Sequence, residues 1–172
     1  MTGPDIDLGG VRLPEPRQLE AYFALTEAVS LLQHHVEQQL RAEGGISTVQ
    51  FQILMALNGV EQLTMTQIAD GVVYSRSGLT YQAAQLEKAG LVTRRPSPDD
   101  ERATLVAITD RGRATVGKVL PGHIEVTRRL LYEAVSADDL DRLGDTMARV
   151  RDHIREEPPR SAAPRRKPSS KR

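Results

Sequence analysis

Apolar residues recur along this chain at two different periods, and the switch between them outlines the architecture. From Pro16 or Arg17 to about Ala42, Tyr22, Val29 and Val36 fall seven apart, with Leu25, Leu32 and Leu40 filling the neighbouring stripe. That pattern predicts a helix of about 39 Å, too long for one small domain to cover. Glu43-Gly44-Gly45 ends it, and Ser47-Thr48-Val49-Gln50 is a capping box opening a second helix with Phe51, Leu54 and Leu57 inward and Asn58-Gly59 at its exit. Thr64-Met65-Thr66-Gln67 is another such box, starting a short helix with Ile68 and Ala69 on its buried side and a stop near Asp70-Gly71. After a brief connection Ser75 caps a helix over residues 75–89, with Leu79, Ala83 and Leu86 facing a core and Gly90 as its stop. Two short helices joined this tightly form a helix-turn-helix.

The period then drops to two. Leu91-Val92-Thr93-Arg94-Arg95 starts a strand, Pro96 to Glu101 is turn chemistry, and Ala103 to Ile108 returns with Thr104, Val106 and Ile108 on one face. A hairpin directly after a helix-turn-helix is a wing, here residues 92–108, with Arg102 where its tip begins to return. The helical period resumes at Thr109 and runs to about Glu133, and Pro121 inside that helix predicts a kink near Leu120. Ser136-Ala137-Asp138-Asp139 caps a last helix whose Leu140, Leu143, Met147, Val150 and Ile154 are spaced three, four, three, four, as in a helix–helix seam. The flanks show no period. Residues 1–14 read as an extended arm and residues 158–172, all Pro, Ser, Ala, Lys and Arg after Arg160, as a disordered basic tail.

Composition removes several classes of function. Cysteine is absent, which excludes disulfides, thiolate metal sites and thiol-based sensing. There is no apolar run of eighteen residues and no basic-then-apolar start, so the expectation is a cytoplasmic protein that does not enter a membrane. No phosphate-cradling Gly-rich loop or Gly-x-Ser-x-Gly is visible, so no enzyme, catalytic residue or cofactor is expected. The adjacent His34 and His35 point about 100° apart on a helix and make no metal site by themselves, leaving convergence with His123 as the one metal alternative.

The formal net charge of zero hides an uneven distribution. Residues 1–73 carry three Arg against nine acids, and residues 74–118 eight Lys and Arg against five. Residues 119–159 carry six against nine, and residues 160–172 six against none. Because charges beyond about 8–10 Å are screened at physiological salt, the local excess over residues 74–118 decides attraction to phosphate. The polar residues of the 75–89 helix concentrate in its first two turns. Ser75, Arg76, Ser77, Thr80, Tyr81 and Gln85 are side chains that bond phosphate oxygens and base edges. With Arg94, Arg95 and Arg102 they form the candidate contact set for double-stranded DNA.

Leu86-Glu87-Lys88-Ala89-Gly90-Leu91-Val92, then Arg94-Arg95-Pro96, then Asp100-x-Arg102-x-x-x-Val106-x-Ile108-Thr109-x-x-Gly112 resemble the multiple-antibiotic-resistance regulator (MarR) family of winged-helix transcription factors. The layout matches from about Glu15 to Glu157, and the Asp-x-Arg wing is the specific part. Gln82 departs from the family, standing at a usually apolar position, and Val73 replaces a turn glycine, so that Gly71 is expected to take the strained conformation. The resemblance implies a mainly α fold: a winged helix-turn-helix over residues 47–109, and residues 15–46 and 110–157 as a helical dimerisation region. It implies a homodimer, most often a repressor, binding a pseudo-palindromic operator with the 75–89 helix in the major groove and the wing in the minor groove. It also implies a small aromatic or phenolic anion as effector, held between the dimer helices and the winged helix. Asp100 is expected to brace the wing so that Arg102 projects into the minor groove, and the Leu140 to Ile154 seam to join the subunits. The alternative from another class is an architectural DNA-binding protein without a ligand switch.

Overall fold

Four helix starts show how local chemistry sets the elements. Ser47 Oγ accepts from Gln50 N at 3.2 Å while Gln50 Oε1 accepts from Ser47 N at 2.9 Å. Thr64 and Gln67 repeat the exchange at 3.1 and 2.8 Å. Thr109 Oγ1 accepts from Gly112 N at 3.0 Å, and Ser136 Oγ from Asp139 N at 3.2 Å. Each bond satisfies a first-turn amide that has no partner inside its helix.

The computed structural model describes residues 12–72, 76–98, 100 and 102–156, without the side chains of Arg76 and Ser77. The elements run α1 (Pro16–Gly44), α2 (Thr48–Leu57), β1 (Leu63–Thr64), α3 (Met65–Gly71), α4 (Arg76–Lys88), β2 (Val92–Pro96), β3 (Thr104–Ile108) and α5 (Asp110–Thr127). A π-helical turn (Arg128–Tyr132) and α6 (Ala137–Glu156) follow. The expected arm over residues 1–14 lies outside the described residues except for its last three, and the basic tail over 158–172 lies outside them entirely.

The described residues fall into two compact units divided between Thr127 and Arg128. In the first, one continuous core joins Leu40, Leu54, Leu57, Ile68, Leu86 and Val106 with Val116 and Val119 of α5. The C-terminal part of α1 and the N-terminal part of α5 are therefore walls of the winged helix, and no packing seam separates them from residues 47–109. Gln39 Nε2 donates to the Val119 carbonyl at 3.0 Å, tying α1 to α5. Glu37 pins the corner between α1 and α2, accepting from Thr48 N at 2.6 Å, Thr48 Oγ1 at 2.8 Å and Arg41 Nε at 2.8 Å. Burial pushes the Glu37 carboxyl up, but these hydrogen bonds together outweigh it and hold it below the usual carboxylate range.

The wing carries a strand that helix-capping logic alone did not predict. Leu63–Thr64 pairs with β3, giving a three-stranded antiparallel sheet in the order β1-β3-β2. Thr64 thus closes a strand and caps α3 at once. The central position of β3 explains a second difference: Leu105 is buried as well as Val106 and Ile108, because Thr64 and Arg95 flank it in register. Ile53, absent from the expected inward set of α2, is also fully buried. Gly71 belongs to α3 and has no positive φ; among the described residues the positive-φ glycines are Gly45, Gly59 and Gly90, so the expected strain at Gly71 is not present. Gly90 (φ 72°) supplies the left-handed residue that ends α4.

The second unit is described by the π-helical turn and α6. Glu133 N donates to Arg128 O at 2.9 Å, the five-residue spacing of a π turn, so the α-helical bonding expected to run to about Glu133 stops at Thr127. No residue of α6 is buried.

Candidate nucleic-acid interface

The candidate contact residues spread over α4, the wing strands and the wing turn. On α4 the core face is Leu79, Ala83 and Leu86, each about 1 % exposed, which turns Thr80 and Tyr81 outward. Tyr81 is 62 % exposed, its ring free of the core face. Ser75 lies outside the described residues. Arg76 and Ser77 form the first turn of α4, with side chains outside the description. Gln85 is half-buried and lines a cavity behind the helix together with Arg41, Gln50, Arg111 and Thr115, away from the first two turns.

The wing arginines differ in their surroundings. Arg94 is held by Glu87, whose Oε2 accepts from Nε at 2.8 Å and Nη2 at 2.6 Å while Oε1 accepts from Arg94 N at 3.2 Å. Its guanidinium therefore couples β2 to α4 and does not point freely outward. The Arg94 hydrogen bonds hold the Glu87 carboxyl below the usual carboxylate range. Arg95 donates to Gln62 Oε1 at 2.6 Å, linking β2 to the segment before β1. Arg102 is exposed, and its backbone amide donates to Asp100 Oδ1 at 2.9 Å. Asp100 also receives Ala103 N at its carbonyl, at 2.9 Å, so one residue organises the turn from both its side chain and its main chain. Asp99 and Glu101 lie outside the described residues.

Sequence reasoning missed Glu87 and Gln62 as anchors of Arg94 and Arg95. The usable signal was Glu87 and Arg94 on either side of Gly90, since a helix stop followed at once by a strand brings the two residues together. His34 and His35 are exposed with ring centroids 5.8 Å apart, whereas His123 packs on Phe51 at 4.8 Å. Among the described residues no three His, Asp or Glu side chains converge to hold a metal ion, and no helix is long and apolar enough to cross a membrane.

The arrangement of α3, α4 and a β2–β3 wing recurs in known proteins. The MarR family model matches residues 44–103. The fold is similar to that of Sco3205, a MarR family transcriptional regulator from Streptomyces coelicolor solved in complex with DNA. That similarity has a TM-score of 0.81 at 27% identity and covers 87% of this chain and 93% of that one. The chain belongs to the MarR family. This is a family of transcriptional regulators and not of enzymes. AbsC, another MarR family regulator from the same organism, is similar with a TM-score of 0.79 at 27% identity, covering 86% of this chain and all of that one. An HTH-type transcriptional regulator of Bacillus subtilis, YdgJ, is 31% identical over 110 residues, which are 64% of this chain and 66% of that protein. Membership in the family accounts for the winged helix-turn-helix.

Proposed function

We propose that this MarR-family regulator acts as a homodimer on a pseudo-palindromic operator, inserting α4 in the major groove and the wing in the flanking minor groove, most often to repress. The observation that carries this reading is the exposure of Thr80 and Tyr81 on α4 and of Arg95 and Arg102 on the wing. This polar, cationic surface lies on a fold shared with a chain solved on DNA. Ser75, Arg76 and Ser77 belong to the same contact set by sequence, and Arg76 and Ser77 open α4, where backbone amides favour phosphate. Arg94 is assigned a positioning role, and Gln85 a place behind the helix.

The homodimer is supported by apolar side chains left uncovered in one copy: Tyr22, Leu25 and Val29 on α1, and Leu143, Val150 and Ile154 on α6. Isologous pairing covers such stripes on both copies. A small-molecule effector is part of the proposal, in keeping with the family.

A footprint of the purified protein on the promoter beside its own gene tests the reading. The expected outcome is two protected half-sites about 10 bp apart on one face of the duplex, with affinity falling steeply as salt rises. Uniform coating without half-sites, at equal affinity for unrelated DNA, is the outcome that rejects operator recognition in favour of an architectural role.

A further inference from the structure

We propose that a notch between α3 and α4 receives the 5-methyl group of a major-groove pyrimidine, so that this surface reads a base methyl directly. The notch has a volume of about 140 Å³ and is lined by Met65, Thr66 and Ala69 of α3 and by Leu79 and Thr80 of α4. That is well below the roughly 300–1,000 Å³ of small-molecule sites, so it suits one substituent on a larger surface and not a whole ligand. Met65 and Ala69 stand four residues apart and share one side of α3. Leu79, 1 % exposed, closes the floor, while the exposed Thr66 and Thr80 stand at the rim.

The two walls are braced. Ile68 on α3 and Leu79 on α4 belong to the same core, which fixes the helices against each other. The first turn of α3 is held by the Thr64–Gln67 capping exchange at 3.1 and 2.8 Å. A site carried on two rigid helices keeps its shape before anything binds.

Its chemistry selects the occupant. Among the described residues the lining holds no charged side chain, so nothing in it neutralises a phosphate. The walls are a thioether, aliphatic carbons and two threonines, each with an apolar methyl group. In the major groove the one apolar group that a base pair presents is the thymine 5-methyl; guanine, adenine and cytosine present donors and acceptors. Cytosine methylated at C5 carries the same group at the same place. Alanine and the threonine methyl are side chains suited to that contact. Thr80 stands on the outward face of α4 next to Tyr81, so the notch opens on the surface assigned to DNA above, and this inference rests on that reading. It adds α3, through Met65 and Ala69, to a contact set otherwise confined to α4 and the wing.

The test uses the full chain and synthetic duplexes of the footprinted operator, with binding followed by fluorescence anisotropy at fixed salt. Each thymine is replaced in turn by deoxyuridine, which deletes the methyl and keeps the base pair. One thymine in each half-site should respond, with affinity falling about fourfold per half-site, the equivalent of one buried methylene. With a C·G pair at that position, methylating the cytosine at C5 should tighten binding by a similar factor, which separates the two sources of the methyl. Ala69→Leu fills the notch and Thr80→Ser removes a methyl from its rim. In both, the ratio of thymine to deoxyuridine affinity should fall towards one. Each variant is compared with itself on the two duplexes, so a change in overall affinity cancels, and Thr80→Ser decides if Ala69→Leu no longer binds. The proposal is overturned if the operator is bound and no thymine responds, if 5-methylcytosine binds no better than cytosine, or if the variants keep the parent ratio. A chain that protects no operator removes this inference together with the reading above, whereas an operator bound without regard to the methyl removes this inference alone.

Discussion

Glu87, in the last turn of α4, receives Arg94 of β2 through two guanidinium nitrogens and a backbone amide. The helix proposed to read DNA and the wing proposed to flank it are thereby fixed to each other at one point, across the Gly90 stop. Glu87→Gln keeps the shape but removes the charge that holds the guanidinium. It should lower operator affinity more than it lowers the melting temperature, since the loss is in wing placement and the pair is partly open to water. Arg94→Lys should behave the same way because a single ammonium cannot reproduce the fork. Equal affinity of both variants for operator and parent-like salt dependence would show that the pair is only a surface feature.

Asp100 is the second positional acid. It accepts from Arg102 N and so shapes the turn that carries Arg102 outward. Asp100→Ala should weaken DNA binding a few-fold although it deletes a negative charge beside a polyanion. Arg102→Ala should cost more on operators with A·T-rich flanks than on G·C-rich ones, because a narrow minor groove attracts an inserted Arg. Tighter binding by Asp100→Ala at fixed salt would mean that bulk electrostatics governs the wing.

The exposed stripe of α6 carries the proposed subunit contact. Replacing Leu143 and Val150 together with Asp would place unpaired charge in a packed interface, costing several kcal/mol. Sedimentation equilibrium should then find monomer at concentrations where the parent is dimeric. A variant that still sediments as a dimer would move the interface elsewhere.

Gly112 tests the close approach of α5 to the wing. A Cβ there would lie 2.2 Å from the Leu91 carbonyl oxygen and 2.7 Å from Ile108 Cγ1. The same carbonyl accepts from Thr109 N at 3.1 Å, so it cannot retreat without breaking a bond. Gly112→Ala should destabilise the fold by about 1–3 kcal/mol through overpacking, despite the better helix propensity of Ala. Urea unfolding should register this as a lower midpoint at unchanged slope.

His123 gives the fold a pH dependence of known sign. Burial against Phe51 lowers its pKa below the ordinary histidine value, so the unfolded chain takes up the proton first. Its contribution is complete above about pH 6.5 and is lost as pH falls from there through the folded-state pKa. His123→Gln should flatten the fall in melting temperature between about pH 7 and pH 5; an unchanged profile would assign that fall to other groups.

What the sequence determined by itself was local and periodic. The boxes at Ser47–Gln50 and Thr64–Gln67, the stop at Gly90, the Leu79–Ala83–Leu86 face and the two wing strands were legible because each depends on residues within one or two turns. The family was legible for the same reason, since its motif lies within Leu86 to Gly112. Tertiary structure alone decided the rest. Leu63–Thr64 became a strand only because β3 lay within hydrogen-bonding distance, and Leu105 was buried only because that third strand covered its flank. Arg94 and Gln85 were legible as polar residues, but not their surroundings: one faces Glu87 across a turn, the other a cavity walled by α1 and α5. Partners distant in the chain leave no period in the sequence. A side chain's bonding capacity is written in its residue type, but which group consumes that capacity depends on how the elements close around it.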